Sequence, residues 1–245
     1  MAHHEPWLTA LFNDHLANLG NSILAAVGTH AANPLKPWTT PVVMQLLVAL
    51  IIIVLFALLR SRLSVDKPGV FQHCFELVYG FLYEQTEENI AHHAKKYLPF
   101  FITLFIFILF ANLLGMIPGF ESPTMFAEVP LGLAVITFIY YHVMGVIVQG
   151  PLKYLLHFTG PVWWLAPLMF PIEIISHFAR PLSLTIRLYA NMFAGEQVTI
   201  VFLGLVPLVI PVIFMGLHLF VAFLQAYIFT LLAMIYVGGA VEHEH

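Results

Sequence analysis

Nineteen residues, PVVMQLLVALIIIVLFALL at 41–59, contain no charged side chain. As a helix rising about 1.5 Å per residue they are long enough to cross a hydrocarbon core of roughly 30 Å. In lipid every backbone N–H and C=O must be paired within the structure, which leaves only helices and closed barrels as spanning forms. A continuous apolar run of this length selects the helix.

The rest of the chain repeats the pattern. Further apolar stretches cover about 97–117 and 130–148, and apolar character resumes at Val162 and runs almost unbroken to Val237. Proline removes a backbone donor and crowds the preceding turn, so Pro207 and Pro211 divide this last stretch into spans of about 170–206 and 211–237. Pro181 falls inside the first of these, where it predicts a kink. Between the first two spans, residues 68–93 mix Phe71, Phe75, Leu77, Val78, Phe81 and Leu82 with Glu76, Glu84, Glu87 and Glu88, which fits an amphipathic helix lying on the membrane surface. The expected fold is all-α and polytopic, with about five transmembrane helices, the last two long and tilted. Residues 1–40 form an external N-terminal segment beside the 41–245 membrane domain. With 60% hydrophobic and 9% charged residues among 245, and a mean hydropathy of +0.91, soluble classes are excluded.

Orientation follows from the cations. Arg60, Arg62, Lys67, Lys95, Lys96 and Lys153 all fall in loops on one side of a five-span chain, and Lys36 alone falls opposite. The positive-inside rule then places the N-terminus outside and the C-terminus in the cytoplasm. The N-terminal residues lack a basic region and a small-residue cleavage pattern, so no removable leader is expected. A net charge of −4 gives no reason to expect a nucleic-acid partner.

Two arginines belong to no loop. At about 100° per residue Glu173, His177, Arg180, Ser183, Arg187 and Asn191 follow one another at helical steps of three or four, forming one polar stripe. An arginine at mid-bilayer costs about 2.5–3.5 kcal/mol on insertion scales, so it should face protein or water. A buried ion pair within the chain is the plain alternative, but Glu196 lies about 180° around the helix and roughly 13 Å along it. The counter-charge is therefore expected from another chain. On the last helix His218 and Gln225 share one face, and with Glu196 they compose an acid–base set. Histidine suits a proton relay because it titrates near physiological pH. A histidine that merely bonds a backbone carbonyl is the other use of such a residue. His3, His4, His15 and His30 have no ligand spacing and are expected to be solvated, as is the C-terminal VEHEH. The single Cys74 has no cysteine partner.

The segments PLSLTIRLYANMFAGE and HLFVAFLQAYIFTLLAMIYV resemble the C-terminal half of subunit a of the F-type ATP synthase. The most specific elements are the SLxxRLxxNMxAGE pattern and the histidine followed seven residues later by glutamine. ANLLGMIPG and YLPFFITLFIFILF agree less specifically. The sequence departs from the usual pattern at YAN, 189–191, where a glycine commonly precedes the asparagine, and in 119–130, which lacks a polar run.

The resemblance implies that Arg187 faces a rotating ring of c subunits and meets each ring carboxylate in turn, separating two aqueous half-channels. It carries proton translocation onto Arg187, Glu196, His218, Gln225 and Asn191, with Glu196 and His218 on the outer entry path. Glu173, Arg180 and Ser183 fall, less closely matched, toward the cytoplasmic half-channel. Implied partners are the c ring, b-type peripheral stalk subunits, the remaining ATP synthase subunits and the lipid bilayer, in the inner (plasma) membrane of a bacterium. No cofactor or metal is implied. With no GxxxxGK[ST] loop, nucleotide chemistry would lie in partner subunits. A self-contained secondary ion transporter would show an internal repeat, and the first half has no counterpart of the arginine stripe. A purely structural membrane anchor leaves Arg187 without a purpose.

Overall fold

The computed structural model describes residues 6–26, 28–31, 33–61, 63–64, 69–90, 94–117, 119–157, 166–205 and 209–241. Among these the regular structure is entirely helical: α1 Trp7–Ala26, α2 Thr40–Ser61, α3 Val70–Asn89, α4 Ala94–Leu114, a 3-10 turn at Pro123–Met125, α5 Glu128–Gln149, α6 Pro151–His157, α7 Ala166–Leu205 and α8 Val209–Val241. Helices α2, α4, α5 and Val212–Val241 of α8 are long and apolar enough to cross a membrane. The fifth expected span, α7, is less apolar because Glu173, Arg180, Arg187 and Glu196 punctuate it. Its 40 residues extend about 60 Å and the 33 of α8 about 50 Å. Both exceed the hydrocarbon thickness, so they cross it obliquely. Pro171 and Pro181 lie within α7 without ending it. Pro211 sits in the first turn of α8, and Pro207 lies outside the described residues.

The core is built around α4. Phe101, Phe105 and Ile108 are essentially inaccessible, and Ala222, Ala226 and Ala233 of α8 are completely buried in the same core. Small side chains let two helix backbones approach closely where apolar attraction alone cannot drive association. Leu184, Leu188 and Met192 bring one face of α7 into the same cluster. By contrast α2 buries only Val43, Met44 and Val48, while Leu46, Leu50, Ile53, Val54 and Leu58 are exposed. In water such a surface would be a liability; in a bilayer it is what lipid covers.

Amphipathic α3 packs Leu82 and Thr86 inward and leaves Val70, Phe71 and Leu77 exposed. It is fastened to α8 by Tyr227 Oη, which donates to Gln85 Oε1 over 3.0 Å.

Two elements go beyond what the sequence leads one to expect. Helix α1 is clasped to the start of α2: Asn13 Nδ2 donates to the Trp38 carbonyl at 3.1 Å, the Trp38 N–H returns to Asn13 Oδ1 at 3.0 Å, and the indole N–H donates to the Leu16 carbonyl at 2.8 Å. Leu16 is the one non-helical residue inside α1, with φ −121° and ψ 15°. Helix α6 is folded back on α5 by Gly150, whose φ of 83° is a conformation that favours glycine. Tyr154 then lies against Gly145, where a β-carbon would overlap its ring.

Candidate functional site

Helix α7 presents two kinds of surface. His177, Leu184, Thr185, Leu188 and Met192 are buried against the other helices, while Leu182, Ile186 and Phe193 are exposed. The polar stripe runs along the border between them and divides into two parts. Its N-terminal part is engaged. Glu173 Oε1 lies 3.3 Å from His177 Nε2 and 4.0 Å from Arg180 Nη2, and the Arg180 guanidinium sits 5.1 Å over the Tyr236 ring of α8. Tyr141 Oη of α5 is 2.8 Å from His177 Nδ1. Beside them His142 Nδ1 is 2.6 Å from Tyr154 Oη. Burial pushes the Tyr154 hydroxyl up to about 12, so it is neutral and can pair with either ring tautomer of His142.

The C-terminal part of the stripe is turned away from the fold. Ser183 and Asn191 are exposed and Arg187 is half-buried. Among the described residues Arg187 has no ion pair, whereas Arg180, two turns earlier, has one. The antiparallel register of α7 and α8 is fixed by two cross-contacts, Arg180 with Tyr236 and Gly195 with His218. Interpolating between them puts Arg187 about level with Ile228, within one turn of Gln225. Gln225 is buried.

Glu196 lies on the opposite edge of α7, half-buried. At its neighbour Gly195, α8 packs tightly: a β-carbon there would fall 2.9 Å from His218 Nδ1. The absent side chain admits the imidazole against the α7 backbone. The Gly195 carbonyl accepts from Thr199 Oγ1 at 2.8 Å. The other ring nitrogen of His218, Nε2, is buried with no hydrogen-bond partner among the described residues. An imidazole held by packing with one nitrogen available can exchange a proton without losing its position.

The sequence reading missed what surrounds this pair. Glu121, in the connection between α4 and α5, lies within electrostatic reach of Glu196. Next to it a buried chain ties the connection to the core: Thr124 Oγ1 donates to Asn112 Oδ1 at 2.6 Å, Asn112 Nδ2 donates to the Ala222 carbonyl at 3.1 Å, and Ser122 Oγ donates to the Ala111 carbonyl at 3.0 Å. The available signal was Asn112 itself, a fully polar residue inside the apolar span at 97–117. Among the described residues no cluster of metal-ligating side chains occurs. His15 and His30 are exposed; His3, His4 and the last four residues lie outside the described ones.

Residues 42–238 match the family described as ATP synthase A chain. Among similar proteins, one named ATP synthase subunit a from Solibacter usitatus (strain Ellin6076) is 63% identical over 235 residues, covering 96% of this chain and 100% of that protein. Another of the same name, from Koribacter versatilis (strain Ellin345), is 49% identical and covers 99% of both chains. ATP synthase subunit a 1 of Syntrophotalea carbinolica (strain DSM 2380 / NBRC 103641 / GraBd1) is 48% identical, over 77% of this chain and 80% of its own length.

Proposed function

This chain belongs to the ATP synthase A chain family, and from that premise we propose that it is the proton-translocating stator subunit of an F-type ATP synthase, with Arg187 as the fixed charge facing a ring of c subunits. The observation that carries the assignment of Arg187 is its contrast with Arg180. Both stand on α7, but Arg180 is neutralised by Glu173 and an aromatic face within the chain, whereas Arg187 has no anion among the described residues. A desolvated guanidinium in a membrane needs a counter-charge. One supplied by a passing carboxylate satisfies it in turn without ever being permanent.

The mechanism follows from placement. Glu196 and His218 form the entry path from outside, where Glu121 adds a second carboxylate at the mouth. A proton delivered there neutralises the ring carboxylate so that it can move into lipid. On arriving from the other side, that carboxylate meets Arg187, which favours its deprotonated form and sends the proton to the inner path beside Glu173, Arg180 and Ser183. Arg187, with Asn191 one turn away and Gln225 within one turn of its level, separates the two paths, so protons cross only by riding the ring. One charge moving through about 100 mV supplies roughly 2.3 kcal/mol, so several must be collected before one ATP is made. Catalysis of that step belongs to other subunits, while a b-type stalk holds this chain still. The chain would sit in the inner membrane of a bacterium, N-terminus outside and C-terminus inside, with α3 on the inner surface.

Inverted membrane vesicles carrying Arg187→Ala test the reading. ATP-driven acidification is expected to vanish while the complex assembles and passive proton leak persists or rises. Normal pumping by this variant would overturn it; failure to assemble would instead favour a permanent ion pair.

A further inference from the structure

At the end of α7 nearest α5 and α6, two side chains without a use in this mechanism adjoin Glu173. Tyr141 Oη and His177 Nδ1 form a hydrogen bond of 2.8 Å, and His177 Nε2 stands 3.3 Å from Glu173 Oε1. One end is closed and the other open: Tyr141 is 1% exposed, whereas the side chains of His177 and Glu173 are 9% and 36% exposed. A buried hydroxyl that donates to Nδ1 leaves the imidazole proton on Nε2, facing the carboxylate. The partner on one nitrogen thereby decides what the other presents, as it does for histidines that must hold a fixed orientation.

The remaining charged and titratable groups here are few. Helix α5 adds His142, with its ring 5.1 Å from that of His177, and α6 adds Tyr154, bonded to His142. Helix α7 adds Arg180, 4.0 Å from the same carboxylate oxygen, and α8 adds Tyr236 beneath that arginine. Both His177 and Arg180 therefore address Oε1 of Glu173, and neither occupies the exposed edge of the carboxylate.

We infer that Tyr141 and His177 are positioning residues that hold Glu173 as the proton acceptor of the inner path, with one oxygen tethered and the other free to exchange. The inference rests on the proton-path reading above. A proton arriving from water binds Oε2, and the same proton leaves Oε2 toward the path; Nε2–H keeps Oε1 in place throughout, and Tyr141 keeps Nδ1 supplied. An N–H beside one carboxylate oxygen fixes the orientation of the group. Removing it leaves the carboxylate free to turn away from the path.

ATP-driven pumping by the assembled complex in inverted vesicles, followed from about pH 5.5 to 8.5, reads this directly. His177→Leu is expected to lower the rate near neutral pH about fivefold or more and to shift the pH profile. Tyr141→Phe, which keeps the ring and removes the hydroxyl, gives a smaller change in the same direction. His177→Gln retains an N–H donor and recovers most of the rate and the midpoint. An unshifted profile in His177→Leu, or equal impairment by Leu and Gln, would overturn the inference and leave only packing. Arg187→Ala in the same vesicles separates the two levels: if it pumps normally the proton-path reading itself fails, and if it is inactive while His177→Leu is unshifted only this inference fails.

Discussion

Gly195→Ala is the smallest change that should disable the outer path. The added β-carbon falls 2.9 Å from His218 Nδ1 and 3.1 Å from Cε1. Favourable contact begins near 3.5 Å, so the ring must retreat by roughly half an ångström. His218 is buried, and forcing a methyl into such packing costs about 1–3 kcal/mol. Opposing this, alanine in place of glycine inside a helix returns about 1 kcal/mol. The net loss of about 0–2 kcal/mol spares assembly but displaces a proton-exchanging group, for which a flux loss of about tenfold is expected. Gly216, less than one turn from His218 on α8, has open space where a β-carbon would stand, and Gly216→Ala supplies the control with neutral or slightly raised stability. Complex abundance in membranes and ATP-driven acidification are measured together. Wild-type flux in Gly195→Ala would refute the claim that His218 works through its contact with α7.

Other outcomes are open to the same assay. Glu196→Gln and His218→Ala should each slow proton flow without loss of the complex, and the exchange Glu196→His with His218→Glu should recover part of it, because the path needs one acid and one base. Arg187→Lys should fail like the alanine variant, since a desolvated lysine loses its proton and lacks the planar fork. Asn112→Ala removes two buried hydrogen bonds, from Thr124 Oγ1 and to the Ala222 carbonyl; a loss of about 1–3 kcal/mol should appear as a lower melting temperature of the purified complex. With Cys74 replaced, single cysteines at the exposed Leu19 and Ile117 should label from outside, and at Leu63 and Leu152 from the cytoplasm.

What could be read from the chain alone was set by the solvent. A bilayer permits so few backbone forms that α2, α4, α5 and α8 follow from apolar length, and a charge inside such a stretch identifies Arg187 without a fold. Helices α1 and α6 were invisible by the same reasoning. Neither is apolar enough to be demanded by lipid, and each is held by distant polar contacts, Asn13 with Trp38 and His142 with Tyr154. The stripe on α7 was legible as a periodicity, but its division was not. Whether Arg180 or Arg187 is neutralised depends on Tyr236 and on the depth of Glu173, which local spacing does not encode. Glu121 stands 75 positions before Glu196, and only the folding of the α4–α5 connection brings them within reach.

The seating of the Tyr154 ring on Gly145 ties two positions into a shared history. A lineage that acquires any side chain at 145 has no room for an aromatic ring at 154, and one that loses the ring leaves a hollow beside a bare backbone, together with a His142 deprived of its hydroxyl partner. Neither change is tolerable first, so the glycine and the tyrosine are expected to be inherited together or exchanged together. Counting how often related chains carry one without the other would measure how firmly the short return helix is bound to the span beneath it.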